Sequence, residues 1–410
     1  SSDLAGGGIR NIGTISMTSG KITQNIAGLN GGGVCGGVMT MYGGEISYNV
    51  CYKDGGAGDV NKFTLEGGTI SHNEAKNGHD GGGGGGFRVG SSEEFVMNGG
   101  VIKNNTAENG GGGISLGGIL TMTGGEISEN ETDTDGAGVY AGNSFVMTGG
   151  TIKGNKSTRN GGGVYISSAG SLALRGGVIS GNSATKNGGG VNVGGVLTFK
   201  KGEVTGNTAT EDGGGIYIGS SKKVQMNGGA VLKNTAGNNG GGVFISSSAN
   251  FALSQGGYVS GNTAAGYGNG VYVKSNFTIQ DGSYVDESND VYLKTYHTYS
   301  YNDEGVYTAT KHVYPVYIAK DLKNHSIVAV ITPESYEVGL QVLDYSSRKS
   351  ASATTTLEDE IRKFYFIEAS YYANKASSQL FYFKNQGQNA IQPATSFGGV
   401  SFSRFQNVCE

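Results

Sequence analysis

Few residues in this chain are suited to chemistry, and they are scattered. Glycoside cleavage needs two carboxylates at one bond, roughly 5–10 Å apart. Three glutamates recur at one place in the sequence pattern, Glu45, Glu126 and Glu203, each directly after a glycine. Equivalent places between them carry Thr69, Val101, Thr151 and Val178, so the acids read as isolated side chains on a solvated face, and no catalytic residue is assigned. A second candidate is Asn77-Gly78-His79-Asp80, with Arg88, Glu93 and Glu94 close behind it. Insertions of this kind often carry function, although a solvated glycine-rich loop has the same composition. His79, Asp80 and Arg88 are therefore the loop-site candidate. Gly55-Gly56-Ala57-Gly58-Asp59-Val60 has half the look of a calcium-binding nonapeptide but lacks the nine-residue period. Cys35, Cys51 and Cys409, with 5 histidines in the chain, match no zinc spacing. No metal and no cofactor is implied.

The elements that must position these residues follow from composition. The chain has 410 residues, of which 78 are glycine and only 3 proline. Collagen needs glycine at every third place with abundant proline, and is excluded. Disorder fits poorly with 36% hydrophobic and 15% charged residues. The glycines must serve a fold that turns often. A net charge of −4 argues against nucleic acid, which calls for a basic face. No apolar run reaches membrane-span length. The chain opens at Ser1 inside a glycine-rich pattern, so a processed piece of a longer protein is expected.

A repeat of about twenty-five residues dominates. An asparagine closes each unit, at Asn25, Asn49, Asn73, Asn105, Asn130, Asn155, Asn182, Asn207, Asn234 and Asn262. Successive spacings run from 24 to 32 residues, the longest between Asn73 and Asn105. Each unit holds three short apolar runs. One unit shows them as Val164/Ile166, Leu172/Leu174 and the lone Ile179 after Gly176-Gly177. Period-two alternation over so few residues marks strands with one buried face. The spacing predicts an all-β, right-handed parallel β-helix of about eleven coils, three strands per coil, roughly 50 Å long at one strand spacing per coil. The recurrent asparagines are expected to form a structural ladder of side-chain amides between coils. The residue two places on is small in nearly every coil, which makes Cys51 a core residue.

The coil motifs resemble those of bacterial cell-surface β-helix proteins, among them adhesins of the autotransporter type and the chlamydial polymorphic outer membrane proteins. The first family motif appears as Gly32-Gly33-Val34, Gly112-Gly113-Ile114 and Gly189-Gly190-Val191, and the second as Ile46-x-x-Asn49, Ile70-x-x-Asn73 and Ile127-x-x-Asn130. Ile or Val stands where that family has Phe, and a third Gly usually replaces Ala. The similarity covers residues 6 to about 290. It implies an extracellular or bacterial cell-surface location.

The best ordered outward feature is aromatic. The outward residue of the first strand reads Arg10, Cys35, Asn61, Arg88 and Ser115 in early coils. In later coils it becomes Tyr140, Tyr165, Asn192, Tyr217, Phe244, Tyr272 and Tyr292. Stacked at one strand spacing, these form either an exposed binding stripe or a structural aromatic ladder. Residues 1–290 are read as the repeats, 291–385 as irregular terminal β coils or a cap, and 386–410 as a polar tail or linker. The functional expectation is a non-catalytic adhesin or structural rod whose partner is a host or microbial surface glycan or protein, or copies of itself. The competing expectation is a carbohydrate-active β-helix enzyme, a polysaccharide lyase or glycoside hydrolase.

Overall fold

In a computed structural model of the chain, residues 5–76, 83–301, 307–319, 322, 328–334, 341–344, 364–366, 382–384 and 403–404 are described. They form an all-β parallel solenoid of about twelve turns. Two glycines show why each coil bends where it does. Gly161 has φ +64, and a Cβ there would sit 2.6 Å from the Val164 carbonyl oxygen. Gly163 lies so close to the next coil that a Cβ would stand 2.8 Å from Ile179 Cγ2 and 3.0 Å from the Asn182 amide nitrogen. Only glycine satisfies both demands.

The three expected runs are present in each coil, joined by a fourth strand of two residues. The first sheet starts at Ile9–Arg10 and gains one strand per coil through Asp290–Leu293. The second starts at Thr14–Met17 and the third at Lys21–Thr23. The fourth starts at Ile26–Ala27, following the ladder asparagine, where the sequence had suggested only a small residue. Pairing is parallel and in register, as in Tyr165↔Asn192, Ile152↔Ile179 and Ala209↔Ala236. Inward residues build one continuous core along the rod, with Phe63, Phe95, Phe145, Phe199, Phe251 and Phe277 in the second sheet and Ile46, Ile70, Ile102, Ile127, Ile152 and Ile179 in the third. Small residues line the narrow fourth side, Cys51 among them, and burial pushes its thiol up to about 12.

Beyond Leu293 the first two sheets continue, with Ala329–Pro333 and Phe364–Phe366 on one and Val316–Ile318, Gln341–Asp344 and Tyr382–Lys384 on the other. These match the irregular strands expected at the C-terminal end. An antiparallel hairpin of Thr295–Tyr301 and Tyr307–Val313 leaves the solenoid before Val316 and was not foreseen. Much of the expected 291–385 region and most of the 386–410 tail lie outside the described residues.

The ladder binds the coils together. Each asparagine amide donates to the next asparagine's Oδ1 at 2.8–3.0 Å, from Asn25 through Asn49, Asn73, Asn105, Asn130, Asn155, Asn182, Asn207, Asn234 and Asn262 to Asn289. The same Oδ1 also accepts the preceding asparagine's backbone N–H, as at Asn73→Asn105, 3.0 Å. A buried amide left without a partner costs about 1–3 kcal/mol. Asn155→Ala should therefore lower stability by about 3 kcal/mol, because Asn130 loses its acceptor and Asn182 its donor. The exposed Asn238→Ala should change it by less than about 0.5 kcal/mol. Urea midpoints of the two variants check this, and equal midpoints would discard the ladder as a stabilising element.

Candidate functional site

Of the loop-site candidate, His79 and Asp80 lie outside the described residues, and Arg88 is a structural ion-pair residue. It sits in Phe87–Val89 on the first sheet, between Asp59 and Ser115. Its Nη1 lies 3.1 Å from both carboxylate oxygens of Asp59, and its Nε 3.5 Å from Asp54 Oδ2. The sequence reading placed Asn61 in this column; the register places Asp59 there, paired with Cys35 on one side and Arg88 on the other. The slip has a steric cause. Gly58 takes the inward place that Val or Ile fills elsewhere, because the Phe87 ring of the next coil occupies the space. A Cβ on Gly58 would stand 2.5 Å from Phe87 Cε1. Phe87 in turn stacks on Phe63 at 4.3 Å.

Nearby Glu93 accepts the Gly90 backbone N–H, and burial holds its carboxyl above the usual range. Asp59 is only 8% exposed, so removing its cation leaves a poorly solvated charge. With the arginine itself partly exposed, Arg88→Ala should cost about 2 kcal/mol. Adding Asp59→Ala should recover part of that loss. A thermal-melt double-mutant cycle tests it, and additive losses would show that the pair is not coupled.

The aromatic column is stacked as expected, but its far end is not an open surface. Tyr140 and Tyr165 stack at 5.3 Å and are half-buried. Half-buried Tyr217 lies 5.2 Å from Phe244, Phe244 4.9 Å from Tyr272, and Tyr272 5.2 Å from Tyr292. Phe244, Tyr272 and Tyr292 are 3–7% exposed. The loop entering each first strand covers them. Gly240 is so close to Phe244 that a Cβ there would meet the Phe244 Cβ at 2.9 Å, and the Tyr267 ring stacks on Tyr292 at 4.6 Å. These loops carry a second polar ladder, in which Asn160 donates to Asp135 at 2.9 Å and Asn239 to Asp212 at 3.1 Å.

The three glutamates lie on the outer face of the third sheet, three strand steps apart, or about 14 Å. That exceeds the separation at which two carboxyls act on one glycosidic bond. Glu45 is bound by Lys21 at 2.8 Å, and Glu126 by Lys153 at 2.8 Å. The hydrogen bond from the lysine lowers each carboxyl below its ordinary value.

The site that sequence reasoning missed lies on this same face. The residue before each ladder asparagine from Asn25 to Asn262 adopts a left-handed backbone, with φ between 52 and 64. Glycine fills that place at Gly154, Gly181, Gly206 and Gly261, and Gln24, Asn104, Glu129 and Lys233 fill it in four other coils. Tyr48 and His72 fill it in two neighbouring coils, at φ 56 and 55. Left-handed geometry costs a side chain roughly 1–2 kcal/mol, a cost that six of these ten coils bear. The two rings stack face to face, centroids 4.8 Å apart and planes 9° from parallel. Both are exposed, Tyr48 by 53%. They stand in an open groove of about 580 Å³, lined also by Lys21, Glu45, Ser71 and Lys103. The signal in the sequence was a ring in each of two adjacent coils, where the other coils carry glycine or a polar residue.

If the rings serve a ligand rather than the fold, Tyr48→Gly should leave stability within about 1 kcal/mol of the parent, since relief of strain offsets lost stacking. Gly154→Ala should destabilise by about 1 kcal/mol. Calorimetric melting decides this, and a loss near 3 kcal/mol for Tyr48→Gly would make the ring a packing element.

Among the described residues, no group of three or more His, Cys, Asp or Glu side chains is placed to hold a metal ion, and no helix is long and apolar enough to cross a membrane. The fold defines the class of protein, an all-β parallel β-solenoid. Comparison with known proteins adds no relative: no family profile, curated sequence or solved structure matches the chain.

Proposed function

We propose that this chain is the elongated, non-catalytic binding region of an extracellular or bacterial cell-surface protein, and that the groove at Tyr48 and His72 binds carbohydrate. The observation that carries the reading is the exposed parallel ring pair that lines an open groove. Flat rings offer an apolar face with polar edges, the surface that a sugar ring's C–H face packs against. Polar groups that can orient hydroxyls surround them, at Lys21, Glu45, Ser71 and Lys103. The resemblance of the coil motifs to those of cell-surface β-helix proteins supports the location. Separation of the face's glutamates by about 14 Å, with two of them held by lysines, supports binding over cleavage.

The test is a glycan array followed by titration calorimetry, with reducing ends assayed in the same samples. Tyr48→Ala and His72→Ala should each weaken binding of an array-positive glycan at least about tenfold, the equivalent of ~1.4 kcal/mol. No reducing ends should accumulate. A bare array would reject the carbohydrate reading, and cleavage products that disappear with a groove variant would replace it with the enzyme reading.

A further inference from the structure

The third sheet carries a second stacked ring pair on the same outward face. Tyr258 and Tyr284 are partners in register, each followed by a buried inward valine, Val259 and Val285. Their centroids lie 5.3 Å apart and their planes 6° from parallel. Both rings are half-buried, so part of each meets solvent. We propose that this pair is a second carbohydrate station, and that the rod binds long neutral polysaccharide chains laid along its axis across both stations. The inference rests on the carbohydrate reading of the Tyr48–His72 groove.

Geometry sets the span. From the strand Thr69–Ser71, which His72 follows, the third sheet runs by way of Val101, Glu126, Thr151, Val178, Glu203 and Ala230 to Tyr258, seven strand steps. At one strand spacing each, that is about 34 Å. Tyr48 and His72 project just past the ends of their strands, whereas Tyr258 and Tyr284 open theirs. A chain joining the stations therefore crosses the face obliquely, by about 10 Å over three residues.

The path between is low at its middle. The place held by Tyr48 and His72 is taken next by Asn104 and Glu129, then by the exposed Gly154, Gly181 and Gly206, then by Lys233. A Cβ on Gly154 would find its nearest neighbour at 3.7 Å, and on Gly181 or Gly206 at 4.0 Å. No packing constraint keeps those three positions bare, so the floor is open over three coils and flanked on either side by polar side chains that can meet hydroxyls. Ser180 and Thr205 face outward beside it. Charge on the face balances, Lys21, Lys103, Lys153 and Lys233 against Glu45, Glu126, Glu129 and Glu203, with Lys21–Glu45 and Lys153–Glu126 paired at 2.8 Å. A face without net charge offers no net attraction to a polyanion, which selects a neutral chain.

Two linked stations behave as a bivalent site. Once a chain spans both, the second contact is intramolecular, and affinity rises by about 10²–10⁴ without any new contact. The experiment is calorimetry on the full chain with cello-, laminari-, xylo- and manno-oligosaccharides of two to about sixteen units, beside a uronate series of matched lengths. For a series that binds, affinity should stay flat for short oligomers and then step up at least about thirtyfold once the chain exceeds roughly 35 Å. Tyr258→Leu/Tyr284→Leu, which keeps apolar cover but loses the flat rings, should abolish the step and reduce the short oligomers bound per chain from two to one. Tyr258→Phe/Tyr284→Phe should retain it. Short oligomers that bind with no step, or a step that survives the Leu pair, would overturn the second station while leaving the first groove intact. Tighter binding of the uronate series would overturn the neutral-chain assignment. No binding of any series would overturn the reading beneath both.

Discussion

The constraint on which the rest of this structure depends is the column of buried asparagine amides. An amide presents a donor on one side and an acceptor on the other, so a stack of them is satisfied only when every coil repeats the same axial register. The Asn25–Asn289 column meets that condition at each step, with Oδ1 accepting both an amide and a backbone N–H from the coil before. Slipping one coil by a residue would break two hydrogen bonds on each side and turn its apolar residues outward. The ladder therefore pins both the core and the outer face.

Because the pin lies at one corner, coil length elsewhere is free to vary. Asn73 and Asn105 are 32 residues apart, yet their amides meet at the same 2.9 Å as pairs separated by 25. Most of the extra residues precede the first strand. The outward column of that strand changes along the rod from ionic at Asp59 and Arg88 to aromatic from Tyr140 onward. Both solutions are local answers to one problem, since a side chain covered by a loop needs either a counter-charge or a stacking neighbour. The column that looked most like a binding stripe in the sequence is thus largely committed to structure, most completely at Phe244, Tyr272 and Tyr292.

What the sequence made legible follows from the same logic. Inward positions are repeated apolar letters at fixed distances from the asparagine, so the core, the ladder and the buried Cys51 could all be read without coordinates. Register failed where an inward residue was replaced by its neighbour's bulk: nothing local in Gly58 announces that Phe87, one coil later, fills its place. The fourth sheet was hidden because a two-residue strand is too short to show a period. The hairpin of Thr295–Tyr301 and Tyr307–Val313 was hidden because its residues alternate without a buried face, the inner strand being mostly exposed. His79 and Asp80 stood out by residue type alone, whereas Tyr48 and His72 needed the backbone. Left-handed geometry is invisible in a string, and only alignment of the equivalent places sets the two rings apart as exceptions among glycines and polar residues.

Those exceptions show how a repetitive rod acquires a site. A non-glycine residue in the left-handed region persists only where the surroundings over-determine its backbone. Here the ladder asparagine that follows is held by several hydrogen bonds, and a strand paired on both sides precedes it. The strain at Tyr48 is therefore borne by bonds that every coil makes whether or not it carries a ring. The turn also aims the ring past the end of the third strand instead of laying it along the sheet, and in-register stacking brings the next coil's ring alongside at 4.8 Å. Two substitutions in adjacent coils are enough to make a flat platform, with no change to the core. The same arithmetic operates at Tyr258 and Tyr284, where the stacked pair grows from the strand itself. In such a fold, affinity for an extended partner is set by which coils carry rings and how many strand spacings separate them, and the size of the residues between determines whether one chain can reach both.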